Sequence, residues 1–139
     1  MKKLIVIPIL ILSLILTACS SDDDSGDTGP QTVNITLEIT TSRNTEAIVT
    51  RTLNNDIQTE NLNNLPYSFT YAQQEVSTGT YLKLTFLENG SYDVGPNGSS
   101  WTDYTTELKI LVGNNVVESE TFTVTESSAG TVRQIEYTF

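Results

Sequence analysis

From residue 31 to residue 139, apolar side chains recur at every second position in short runs broken by polar turn residues. Val33, Ile35, Leu37 and Ile39 alternate with Asn34, Thr36, Glu38 and Thr40, the mark of a half-buried strand. Thr41-Ser42-Arg43-Asn44 reads as a turn, and Glu46 to Leu53 as a second strand with Ala47, Val49 and Leu53 inward. Asn54-Asn55-Asp56 turns the chain again, and Ile57 to Glu60 makes a short edge strand. Behind Leu65-Pro66, Tyr67, Phe69 and Tyr71 alternate with Ser68 and Thr70. Proline at a strand start removes no ladder hydrogen bond. Tyr81 to Leu87 places Leu82, Leu84 and Phe86 on one face, Lys83 and Thr85 on the other. A long polar connection, Glu88 to Asp103, follows. Thr105 to Val112 is a strand with Leu108, Ile110 and Val112 inward. Gly113-Asn114-Asn115 is a tight turn that tolerates positive φ, and Val116 to Val124 returns antiparallel. Val132 to Phe139 closes the domain with Ile135, Tyr137 and Phe139 on one face. No stretch sustains a helical period. About seven short antiparallel strands predict an all-β fold, an immunoglobulin-like β-sandwich over residues 31–139.

The first 30 residues carry a different pattern. Lys2 and Lys3 precede an almost wholly apolar run, Leu4 to Leu16, interrupted only by Pro8 and Ser13. A short apolar segment with basic residues before it and small ones after it is a secretion signal, and it is too short to span a bilayer of ~30 Å comfortably. It ends in Leu16-Thr17-Ala18-Cys19. That tetrapeptide resembles the lipobox of bacterial lipoproteins. The resemblance implies a signal peptide over 1–18, cleaved before a diacylglyceryl-modified Cys19. The lipid would hold the protein to a membrane, since each buried CH₂ contributes ~0.8 kcal/mol. Residues 19–30 contain SSDDDSGDTGP after the cysteine, almost free of apolar side chains, and read as a flexible acidic tether. Ser21-Asp22-Asp23-Asp24 reads equally as a solvated spacer or as the acidic signal that sends some lipoproteins to the outer face of the outer membrane. The expected location is the cell envelope, as an outer membrane lipoprotein exposed at the surface.

Composition narrows the function classes. The chain has 139 residues, enough for one domain. Removing Lys2 and Lys3 from the 7 basic residues leaves 5 against 17 acidic ones, a balance of −12 beyond the signal. Such a surface repels phosphates, so no nucleic acid partner is expected. The chain has no histidine and a single cysteine, so no internal disulfide forms and the core alone stabilises the domain. Serine catalysis through histidine, cysteine nucleophiles and Cys/His zinc sites are excluded. No phosphate loop or dinucleotide motif occurs. The expectation is a protein that is not an enzyme and that carries no cofactor and no metal.

Three further segments look familiar in their order. Leu65-Pro66-Tyr67-Ser68, Gly79-Thr80-Tyr81-Leu82-Lys83-Leu84 and the hairpin from Glu107 to Glu118 resemble the domain of MmpS-type transport accessory proteins. The resemblance covers roughly residues 31–139. Gly113-Asn114-Asn115 stands where that family tends to have Asp-Gly-Lys, and the connection at Glu88–Asp103 is longer. It implies a β-sandwich in the cell envelope and, for members encoded with one, assistance to a lipid or small-molecule exporter.

The connection Glu88–Asp103 is the candidate site. Compact domains usually join their elements with ~4–6 residues. This one holds Tyr92, Asp93 and Trp101, the single tryptophan, ends at Asp103, and is followed by Tyr104. Exposed rings stack on sugars or anchor protein partners, whereas Trp101 folded back would cap one end of the sandwich. Asp93, Asn97 and Asp103 offer calcium oxygens only if they converge. Glu88, Asp93 and Asp103 read as solvated loop charges before they read as a glycosidase pair. The leading expectation is a non-catalytic envelope module that binds a carbohydrate or an envelope protein through loops at one end. An exporter accessory subunit and a structural component of a surface assembly, joined through an edge strand, are the alternatives.

Overall fold

The computed structural model describes residues 29–43, 46–88 and 93–139. The signal peptide, Cys19, the tether up to residue 28 and Tyr92 lie outside the described residues. Among the described residues ten strands follow one another: β1 (Gln31–Thr41), β2 (Ala47–Leu53), β3 (Asp56–Leu62), β4 (Tyr67–Val76), β5 (Tyr81–Glu88), β6 (Asp93–Gly95), β7 (Gly98–Ser100), β8 (Tyr104–Val112), β9 (Asn115–Val124) and β10 (Arg133–Thr138). A 3₁₀ turn, Glu126–Ser128, precedes the last. Among the described residues no helix is long and apolar enough to cross a membrane.

The expected sandwich is what forms. One sheet has the order β4-β1-β8-β9 and the other β10-β5-β2-β3, and every pairing is antiparallel. The chain crosses between sheets after β1, β3, β4, β5 and β9, so only β2–β3 and β8–β9 are joined as hairpins within the large sheets. The two large sheets hold eight strands, in keeping with the expected count of about seven, and the short edge strand expected at Ile57–Glu60 runs from Asp56 to Leu62. β4 likewise continues to Val76, past a register shift opposite Val33 and Ile35. Asn34 makes that shift possible: its side-chain oxygen accepts the Gln73 N–H at 2.8 Å, and its carbonyl accepts Gly113 N–H at 2.8 Å. Gln73 takes φ 50 there. The long connection is not all loop, since β6 and β7 pair as a small hairpin with Gly98 at φ 111.

The inward faces meet in one core. Ile35, Leu37 and Ile39 of β1, Val49 of β2, Leu82, Leu84 and Phe86 of β5, and Leu108 and Ile110 of β8 have no exposed surface. Burying a side chain of this kind contributes ~1.5–3 kcal/mol. All four of these strands are central in their sheets, and β1, β5 and β8 carry the cleanest alternation.

Strand direction gives the domain two distinct ends. Gln31 pairs with Val76, and the turns at residues 54–55, 77–80 and 113–114 lie at the same end. Phe139 joins them there, donating to Thr80 O and accepting from Gly79 N. β1, β3, β5 and β9 end, and β2, β4, β8 and β10 begin, at the other end, called distal below.

Candidate functional site

The candidate site is built where β1 and β8 leave the sheet at the distal end. Ser42 prolongs their ladder: its N–H donates to Thr105 O, and its side-chain oxygen accepts Thr105 N–H, both at 2.9 Å. The next residue, Arg43, is therefore held beside the start of β8. Its guanidinium carbon lies 4.6 Å from the centroid of the Tyr104 ring and 4.8 Å from that of Trp101. Nη1 of Arg43 also donates to Thr102 O at 3.1 Å. The Trp101 and Tyr104 rings are tilted, 6.0 Å apart. Asp103 completes the arrangement by accepting the indole N–H at 3.0 Å.

Beneath this cluster lies Glu88, the last residue of β5, with 2% of its surface exposed. Its carboxylate stands 3.9 Å from Arg43 Nη2. The reading of Glu88 as a solvated loop charge is corrected here. Glu88 occupies the same face as Leu82, Leu84 and Phe86, and that period-two run carries its side chain inward. The signal was in the sequence, two residues beyond Phe86.

Among the expected site residues, Trp101, Asp103 and Tyr104 come together. Tyr104 is buried and supports the cluster, whereas Trp101 is half-buried and Asp103 exposed. Asp93 pairs with Ser100 in the β6–β7 hairpin, and Tyr92 lies outside the described residues. Arg43 went unrecognised because it sits in a turn pattern with no neighbouring charge to single it out. Chemically, the arrangement is an aromatic platform: a ring fixed by a cation on its π face and by a carboxylate on its N–H. Cation–π contacts contribute ~0.5–2 kcal/mol depending on desolvation.

A second polar cluster lies between the sheets on the side of β3 and β4. Arg51 of β2 points inward, its guanidinium carbon 3.6 Å from the Phe69 ring centroid. Arg51 donates to the Tyr67 hydroxyl at 2.6 Å and pairs with the Glu60 carboxylate, which also accepts the Tyr67 O–H at 2.6 Å. Burial, with the hydrogen bond to Glu60, pushes the Tyr67 hydroxyl up to about 12. Arg51 continues the inward positions Ala47 and Val49, so its place could have been found by extending the alternation through a charged residue.

No family model matches this chain, and comparison with the curated proteins and with the solved structures finds no match.

Proposed function

We propose that this protein is a lipid-anchored envelope module that acts by binding, not by catalysis, through the distal end of its sandwich. One observation carries the reading: Trp101, clamped by Arg43 and Asp103, sits at the end opposite the one where β1 receives the chain from Cys19. A ring immobilised before binding loses little conformational freedom when a partner covers it. The lipobox-like Leu16-Thr17-Ala18-Cys19 supplies the anchor, and the acidic stretch after it supplies the reach. Partners of matching chemistry are a carbohydrate, stacking on the indole, or an envelope protein.

Two measurements test this. Mass spectrometry of protein extracted from its native membrane is expected to find a diacylglyceryl thioether on Cys19. Purified protein is then titrated with a panel of defined glycans and envelope proteins, reading the emission of the single tryptophan. Binding that shifts Trp101 emission, and that is lost in Trp101→Ala without loss of the thermal transition, supports the site. An unmodified thiol removes the anchor, and unchanged binding by Trp101→Ala removes the platform.

A further inference from the structure

Four strands, β3, β4, β9 and β10, form the edges of the two sheets. An edge presents unpaired backbone groups, which proteins protect with inward charges, bulges or short length. β9 carries a register shift, and its Glu118 and Glu120 stand opposite the buried Ile110 and Leu108. β3 sets Asp56 and Glu60 opposite Leu53 and Val49. β10 spans six residues, and its Glu136 is tied to Lys83 at 3.2 Å.

β4 also carries a register shift, beyond Tyr71, but over most of its length it lacks the charges that mark the other three. From Tyr67 to Gln74 it carries no charge. From Tyr67 to Tyr71 it pairs with β1 in unbroken register, and Thr70 is hydrogen-bonded to Thr36 at 3.0 Å. Its run of Tyr, Ser, Phe, Thr and Tyr is the kind of segment that pairs readily with another strand. The strand is also held rigid from inside, because Tyr67 is locked to Arg51 and Glu60. Beside it, on the outer face of the sheet, lies a groove of about 280 Å³ lined by Glu38, Thr40, Pro66, Tyr67 and Ser68. That is several times the ~30 Å³ taken by a water molecule. Glu38 is the one charged residue in the lining. Its neighbour across the β1–β8 ladder, Lys109, makes its direct ion pair with Glu107 at 2.8 Å and is also attracted to Glu38, so Glu38 shares this cation with Glu107.

We propose that the β4 edge docks an extended segment of a partner protein as an added strand, with a lysine or arginine of that segment seated against Glu38. Main-chain hydrogen bonds along Tyr67 to Ala72 supply the attachment, and the groove supplies selectivity for a basic side chain. This surface is separate from the Trp101 platform and does not depend on it.

The test uses the full-length protein in detergent micelles, isotope-labelled for NMR. The probe is a terminally blocked heptapeptide of alternating threonine and valine with one central lysine. Amide shifts confined to residues 67–72 and Glu38 are expected. Glu38→Gln, on the outer face, is expected to bind about fivefold more weakly, as for an exposed ion pair. A peptide with glutamate in place of lysine should bind more weakly still, and one N-methylated at alternate amides should not bind. Equal binding of the N-methylated peptide, equal binding of the lysine and glutamate peptides, or no binding at millimolar concentration would each overturn the proposal. So would a dimer of the protein itself that occupies β4 and that the peptide cannot displace, since the occupant would then be a second copy.

Discussion

Arg43 and Arg51 meet the same physical problem in different ways. Each places a guanidinium where water is scarce, and each has an aromatic face and a carboxylate to receive it. Arg43 lies over two rings and leans on a buried Glu88, so its removal weakens packing and charge pairing together. Arg43→Ala is expected to lower stability by about 2 kcal/mol and to shift Trp101 emission to the red, because the ring loses its cover. Denaturant melts with fluorescence detection measure both, and unchanged emission would show that Arg43 does not hold the indole. At the second cluster the predicted effect is one of pH. The Tyr67 hydroxyl has a pKa raised from 10 to about 12 in the fold, so the folded state keeps its proton where the unfolded chain has lost it. Its contribution is therefore fully present below pH 10 and lost as pH rises from 10 through 12. The loss is of order 2 kcal/mol. Tyr71 and Tyr81 are also raised by burial, so the measurement is a difference: wild type should lose more stability across that window than Tyr67→Phe. Parallel curves would mean that the hydroxyl is not held as the geometry implies.

At the level of elements, the terminal strand gives the sharpest expectation. β10 pairs along its whole length with β5, Ile135 is buried, and Tyr137 and Phe139 pack against the core. Phe139 is further bound to Thr80 and Gly79 through its backbone. Deleting Ile135 to Phe139 should abolish the cooperative thermal transition, seen by circular dichroism, instead of trimming a loose tail. A truncated protein that melts sharply near the wild-type temperature would contradict this. The strands that were plain in the sequence are those whose two faces differ most in polarity: β1, β5 and β8 alternate because one side meets the core and the other water. β3 was read too short because it lies at an edge, where Asp56, Gln58 and Glu60 occupy inward positions and erase the alternation. The continuation of β4 past Tyr71 was hidden by the register shift at Asn34, which moves its residues to the opposite phase. At the site, Trp101, Asp103 and Tyr104 stood out by residue type and loop length. Arg43 did not, because its role depends on a contact between residues 58 or more positions apart. Glu88 and Arg51 were legible in principle, as charged residues that keep the phase of an apolar run, but a charge at an inward position is usually taken to end a strand.

On the scale of the whole molecule, the two ends of the sandwich are chemically unlike. The proximal end holds tight turns and the backbone entry at Gln31, and the distal end holds the longest connection and the clamped tryptophan. β1 links them with eleven residues, a rise of ~35 Å at the strand repeat. The stretch from Cys19 to Pro30 is Gly/Ser/Asp-rich, and twelve residues of such composition behaving as the proposed tether would span ~20 Å on average. A membrane anchor at Cys19 would therefore hold the proximal end nearer the bilayer and leave the distal connections facing outward, with tumbling limited by a tether shorter than the domain. This ordering is measurable by energy transfer. If acylation occupies the Cys19 thiol as proposed, a dye can be placed on a cysteine introduced at Asn114, in the proximal turn, or at Asn97, in the distal hairpin, both exposed. In vesicles carrying an acceptor in the lipid headgroups, the Asn114 label should transfer more efficiently than the Asn97 label, and cleavage of the tether should abolish transfer from both. Equal transfer from the two sites would mean that the domain tumbles freely or lies on its side, and Trp101 would then have no preferred outward face from which to meet a partner.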